Sequence, residues 1–339
     1  MFARYSEYGE YTEFLPMPGL TNPHLQTLWP FLFRRVPRVP FDVEHWVLPD
    51  GEHLAVRLSE RPGWRPAVLA VHGLESSADA PYVRGLLARV HAAGWNGAAF
   101  DFRSCGDRPV PTRVAYHAGK TDDLGAVVDG LRRRWPDAPL AVVGFSLGGN
   151  VLAKWLGELG DRAPVAAAVA VSAPFDLALC AAAADGPGFW SSFYRRRFVL
   201  SLRRKALAMA RREPDRLDLR AVSGVRTFAE FDARVTARLF GFADATDYWQ
   251  KASAAPWVQA IRRPTLIISA EDDPLVPAAC IPRQTIGANP ALRLWLTRRG
   301  GHLGFLGGVP GRPVYAAEDA TLAFLSSHFA SHSDSQLGA

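Results

Sequence analysis

The chain of 339 residues holds three cysteines, three methionines and only four lysines, and the cysteines are the most telling of these scarcities. Cys105, Cys180 and Cys280 are odd in number, far apart along the chain and set in no metal-ligand spacing, which argues against a disulfide scaffold and a structural metal. A reducing compartment, the cytoplasm, is the expected location. No stretch approaches the roughly 18 uncharged apolar residues that a membrane span needs. The opening "MFARYSEYGEYTEF" carries acids where an export signal would be apolar, so export is not expected. No G-x-G-x-x-G follows the first parallel-strand-like run, which removes the signature of dinucleotide binding. Internal repeats are lacking, and only a polar tail after Ser331 reads as frayed.

What is present is apolar and arginine-rich. A hydrophobic fraction of 48% over this length supports a large core, as one α/β unit or two domains. The formal charge of +6 is local, because residues 189–212, "FWSSFYRRRFVLSLRRKALAMARR", hold eight basic side chains and no acid. A basic balance confined to one segment does not predict a nucleic-acid partner.

Along the chain, "FDVEHWVLPDGEHLAVRLSE" alternates around Pro49, Asp50 and Gly51 and predicts an antiparallel hairpin at a sheet edge. Six apolar runs follow: "PAVLAVHG", "GWNGAAFDF", "LAVVGFS", "VAAAVAVSAP", "PTLIISAEDD" and "LRLWLTRRG". Runs without strict alternation are what strands buried on both faces look like. Helical patterns lie between them, among them "PYVRGLLARVHAAG", stopping at Gly94, and "KTDDLGAVVDGLRRRW", which starts acidic and ends basic. Alternating strands and helices predict an α/β fold with a mainly parallel sheet covered on both faces. From about Asp176 to Ile261 the rhythm breaks into helix alone, as a helical cap would. The expected division is an N-terminal arm (1–40), a core in two parts (41–177 and 261–330), the cap (178–260) and a tail (331–339).

Within "LAVVGFSLGGN", Gly144, Ser146 and Gly148 fit G-x-S-x-G, with the serine after a strand and before the helix-like "LGGNVLAKWLGEL". A serine on so sharp a strand-to-helix turn is strained and lifted above the sheet, and glycines are needed where strand and helix press together. The pattern alone is weak in a chain with 29 glycines; its placement gives it force. A hydroxyl nucleophile needs a base, and the base an orienting carboxylate. Downstream, "AEDDPLVP" offers Glu271, Asp272 and Asp273, and "RRGGHLGF" offers His302, each loop following a strand. Spacing favours Asp273, beside Pro274, over Asp272. An oxyanion would be held by the N–H of Leu147 and by that of Leu74 in "VHGLESS". His72 adjoins the glycine turn and reads as a structural hydrogen bonder. Arg103 and Asp107 read as an ion pair, with His117 and Asp123 orienting their loop, and His328 as a surface residue.

"VHGLESS", "FDFRSCG", "YHAGKTDDL", "VVGFSLGGN", "SAEDDPLVP", "GGHLGF" and the N-terminal "NPHLQTLWP" together resemble the YheT-like branch of the α/β-hydrolase superfamily, over residues 14–330. "NPHLQT", Asn22 to Thr27, is the branch-specific part; its Asn-Pro reads as a turn and its His24 as packing. The resemblance implies an α/β-hydrolase fold with a helical lid, no cofactor, and Ser146, Asp273 and His302 as a catalytic triad. Cleavage of carboxylic esters, with a short- to medium-chain acyl group or lipid-like, is the expected activity, with acyl transfer to an alcohol or a non-catalytic binding role as alternatives. Wound as a helix, residues 189–212 place Trp190, Tyr194, Phe198, Leu202, Ala206 and Met209 on one face and Arg196, Arg197, Arg203, Arg204 and Arg211 on the other. Such a helix either packs as a cap with solvated arginines or rests on an anionic membrane.

Overall fold

Each of the six apolar runs forms a strand, five of them buried on both faces. A computed structural model describes residues 13–106 and 115–337. The hairpin is β1 (Asp42–Val47) with β2 (His53–Ser59), followed by β3 (Ala67–Val71), β4 (Asn96–Phe100), β5 (Leu140–Phe145), β6 (Ala167–Val171), β7 (Thr265–Ala270) and β8 (Leu292–Thr297). They build one eight-stranded sheet in the order β1-β2-β4-β3-β5-β6-β7-β8. β2 is antiparallel to both β1 and β4, and every pairing from β4 to β8 is parallel. Every residue of β3 to β7 is buried, which explains why these runs do not alternate.

Helices cover both faces. Along β3, Leu69 and Val71 join a core shared with Leu124, Val127 and Leu131 of one helix and Val151, Leu152 and Leu156 of another. Val68 and Ala70 point the other way, into a second core with Val83, Leu86, Leu87, Phe324 and Leu325. In chain order the long helices are α1 (Pro23–Phe33), α2 (Pro81–Ala92), α3 (Asp122–Arg134), α4 (Leu147–Leu159), α5 (Leu177–Asp185) and α6 (Phe189–Arg212). The final helix, Ala316–Leu337, runs past Ser331, with no Pro or Gly to break it before Gly338. No described helix is long and apolar enough to cross a membrane.

Between β6 and β7 every described element is helical, from α5 through α6 and shorter helices to Ala255–Ala260. This cap has its own core, in which Val199, Ala206, Met209 and Ala210 of α6 meet Leu217, Val222, Val225 and Val235. Tyr194 and Met209 face inward as the helical wheel predicts, but Trp190 is 37% exposed. The first turn of α6 overhangs α1 instead of the cap core, and there the Trp190 ring stacks on His24. A second hairpin, Leu306–Val309 with Arg312–Tyr315, was not apparent from sequence; two glycines in its first strand obscure any alternation.

Candidate active site

Strand register gathers the functional loops. Phe145 pairs with Val171 and Ala270 with Thr297, so β5, β7 and β8 end along one edge of the sheet. Ser146 follows β5, Asp273 lies just past β7, and His302 lies just past β8. In open parallel sheets this carboxyl edge is where ligands bind.

Ser146 holds φ 52° and ψ −122°, a conformation costing an L-residue about 1–3 kcal/mol. Packing enforces it. A Cβ on Gly144 would come within 2.4 Å of the Gly148 carbonyl oxygen, and one on Gly148 within 2.5 Å of the Val71 and His72 oxygens. Only hydrogen fits at these points, so the glycines around the serine are the condition for strand and helix to meet there.

His302 Nδ1 lies 2.8 Å from Oδ2 and 3.1 Å from Oδ1 of Asp273, and its Nε2 lies 3.0 Å from Ser146 Oγ. Asp273 Oδ1 also accepts the N–H groups of Leu275 and Val276, both at 2.9 Å, which fixes the carboxylate. Donation from Nδ1 to Asp273 leaves Nε2 as an acceptor for the serine proton. Asp272 turns elsewhere: its Oδ1 accepts the Gly301 N–H at 2.9 Å, so it braces the histidine loop from behind. Burial raises its carboxyl above the usual range. Glu271 faces Arg283 at 3.3 Å. Of the three carboxylates offered by sequence, Asp273 alone contacts the imidazole.

Leu147 opens α4, so its N–H has no carbonyl one turn back to bond. Across the site, Leu74 follows Gly73, whose added Cβ would meet Ser146 Cβ at 3.0 Å. His72 shapes this turn. Its Nδ1 donates to the Gly73 carbonyl at 2.7 Å and its Nε2 accepts the Phe102 N–H at 3.0 Å. Fully buried, it is held neutral by desolvation, with its pKa lowered to about 4. In a trans peptide, fixing the Gly73 carbonyl also fixes the Leu74 N–H on the opposite side.

The neighbouring Glu75 went unread in the sequence. Its carboxylate accepts from the Tyr116 hydroxyl at 2.9 Å and Lys205 Nζ at 2.8 Å, and from the Ser201 hydroxyl. Ser201 and Lys205 belong to α6, so this buried carboxylate ties the cap to the turn that carries Leu74. Cys105 lies 3.5 Å from Lys205 Nζ, yet burial pushes its thiol up to about 12 and favours the protonated form. Arg103 pairs with Asp123 and Asp50, both at 2.6 Å, as a structural ion cluster; Asp107 lies outside the described residues. His117 Nδ1 accepts the Gly119 N–H at 3.1 Å, and the ring packs among Phe240, Phe242 and Tyr248. The fold also brings Cys180 and Cys280 to within 3.9 Å.

The N-terminal motif acquires a physical reason. Asn22 caps α1 by accepting the N–H groups of His24 and Leu25, and Pro23 occupies the first turn. Gln26 is fully buried; its Nε2 donates to the carbonyls of Leu20 and Leu306, and its Oε1 accepts the Leu306 N–H. Thr27 Oγ1 accepts the His302 N–H at 2.9 Å and donates to the Pro23 carbonyl at 2.7 Å. A Cβ on Gly304 would reach 2.3 Å from the Gln26 oxygen, so the histidine loop lies directly on α1. Thr27→Val keeps the shape but orphans the His302 N–H, a loss of about 1–3 kcal/mol for a buried donor. Its expected result is kcat lowered about tenfold with KM little changed, and recovery in Thr27→Ser. Wild-type kcat in the valine variant would reduce the contact to packing.

Two cavities meet at Ser146, Leu74 and His302. The larger, about 800 Å³, opens beside α1 and α6 along Leu28, Phe31, Leu32, Tyr82, Phe193 and Leu303. The smaller, about 160 Å³, runs beneath the cap between Leu147, Leu177, Ala181, Leu202, Phe228 and Phe231. Its wall also carries Asp232, which accepts from Thr236 Oγ1 and Trp249 Nε1 and whose carboxyl burial raises to about 6.

Residues 66–309 match the family described as alpha/beta hydrolase fold. The chain is 40% identical to YheT of Escherichia coli (strain K12), which carries an esterase name, over 89% of this chain and 90% of that one. It is 31% identical to a monoacylglycerol lipase of Saccharomyces cerevisiae, over 74% of this chain and 57% of the lipase. The solved esterase Pf2001 of Pyrococcus furiosus shares the fold with a TM-score of 0.51 at 20% identity, over 80% of this chain and 90% of the other. The chain belongs to the α/β-hydrolase family of esterases and lipases, in its YheT-like branch.

Proposed function

We propose that the protein hydrolyses carboxylic esters through an acyl-enzyme on Ser146, with His302 as general base and Asp273 orienting it. The observation that carries this reading is the continuous contact from Asp273 through His302 to Ser146 Oγ. In the first step Nε2 takes the serine proton as Oγ attacks the ester carbonyl, and the N–H groups of Leu74 and Leu147 hold the resulting oxyanion. The protonated imidazole then gives that proton to the departing alcohol. Water, deprotonated in turn by Nε2, attacks the acyl-serine, releases the carboxylic acid and restores the hydroxyl.

The two cavities divide the substrate. The alcohol leaves first and suits the larger space beside α1; the acyl group stays bonded through the second half of the cycle and suits the pocket beneath the cap. A cavity of about 150 Å³ holds a benzene ring, so the inner pocket, about 160 Å³, accommodates roughly six carbon atoms. The test is labelling by a fluorophosphonate together with kcat/KM across straight-chain esters of one alcohol. Labelling that maps to Ser146 and an optimum near a six-carbon acyl chain are expected. A profile still rising into long chains would move the acyl group out of the inner pocket; absence of labelling would remove the serine mechanism.

A further inference from the structure

The surface around the mouth of the larger cavity is built of the wrong residues for water. On α1, Leu32 and Phe33 are 63% and 61% exposed, and on α6 Phe189 is 75% exposed. Scattered exposed apolar side chains are ordinary, but these belong to one surface, because α1 and α6 meet. The His24 ring stacks on Trp190 at 4.0 Å, and its Nδ1 lies 3.1 Å from the Tyr194 hydroxyl. Phe31 and Leu32 from one helix and Phe193 from the other line the same opening.

Charge then selects the occupant. Residues 14–41 and 186–212, which include both helices, contain no Asp or Glu at all. Arg196, Arg197 and Arg204 are exposed on the same side of α6 as Phe189 and Phe193, and no described carboxylate pairs with any of them. Arg35 and Arg38, just after α1, are exposed as well. An aromatic cluster flanked by unpaired arginines without acids matches an interface that is apolar inside and anionic at its rim.

We propose that α1 and the stretch of α6 from Phe189 to Arg204 form a docking face for an anionic lipid surface, with the mouth of the larger cavity turned toward it. The sequence alone pointed to the arginine face of α6; the fold adds α1 as the second half and the aromatic residues as the inserting part. Docking is a binding property and does not depend on the ester-hydrolase reading; its consequence is that lipid-borne esters reach Ser146 without crossing water.

The test is co-sedimentation of the full chain with phosphatidylcholine vesicles, with and without phosphatidylglycerol, at low and high ionic strength. Two variants separate the contributions, Phe33→Ser with Phe189→Ser, and Arg196→Gln with Arg204→Gln; none of these residues lines either cavity. Wild type is expected to pellet at least about tenfold more with anionic than with neutral vesicles and to lose that preference at high salt. The arginine variant should lose the preference at low salt, and the phenylalanine variant should lose binding to both vesicles. Both should hydrolyse a water-soluble short ester as wild type does, which separates failure of docking from failure of the catalytic reading. Wild type left in the supernatant with anionic vesicles, or variants that pellet like wild type, would overturn the proposal. So would a homodimer in solution that the phenylalanine variant dissociates without any change in vesicle binding, since the face would then belong to a second copy of the chain.

Discussion

Replacing Ser146 with alanine is expected to lower kcat for ester hydrolysis by about a millionfold while the protein stays folded and binds ester almost as before. The fold is safe because alanine meets the same backbone conformation, φ 52°, at a cost close to that of serine, and because the Ser146 side chain is not among the contacts that hold the elbow together. That work is done by Gly144 and Gly148 and by the Ser146 N–H, which donates to the Val171 carbonyl at 2.8 Å. What disappears is the hydroxyl that lies within hydrogen-bond reach of His302 Nε2. Residual catalysis should come from the oxyanion donors and from substrate binding alone, about 10³-fold over water. In the proposed mechanism Ser146 and His302 act as one unit, so adding His302→Ala to Ser146→Ala should cost little more. Measured kcat for the two single variants and the double variant decides this, with circular dichroism to verify folding. A serine variant that retains even one part in a hundred of wild-type kcat would place the nucleophile elsewhere.

The turn that carries Ser146 is legible in sequence because its cause is local. Steric demand writes itself into neighbouring positions, so the glycines of "GFSLGGN" by themselves announce the close approach of strand and helix. The same holds for the sheet, where burial on both faces produces uninterrupted apolar runs. Features that depend on distant partners are opaque. Thr27 and Gln26 act on His302 and Leu306, more than 270 residues further along the chain, and nothing in "NPHLQT" points there. Glu75 is one acid among many until the fold places Lys205 and Ser201 of the cap beside it. Cys180 and Cys280 are 100 positions apart in sequence and neighbours in space. Spacing could rank Asp273 above Asp272 but could not separate them by mechanism, since both lie on one loop and the sequence does not say which way either side chain points. Only the direction of each side chain does.

That direction makes the two aspartates an internal control, and asparagine is the sharpest probe of it. In Asp273→Asn the amide oxygen can still accept the Leu275 and Val276 N–H groups, which holds the loop and turns the NH₂ toward His302 Nδ1. A donor facing Nδ1 forces the imidazole into the tautomer protonated at Nε2, the nitrogen 3.0 Å from Ser146 Oγ. That nitrogen then has no lone pair for the serine proton. The expected loss in kcat is about 10⁴-fold, the scale of this change where aspartate orients a catalytic histidine. In Asp272→Asn the amide oxygen still accepts the Gly301 N–H, so the brace behind the loop survives. Burial already disfavours a charge at that position, so a neutral side chain is well tolerated and the loss should stay within about tenfold. Steady-state kinetics of the two variants on one ester, with melting temperatures to compare their stability, gives the ranking. A large loss at Asp272 with a small one at Asp273 would transfer the orienting role to Asp272 and would require a rearrangement of the loop before catalysis.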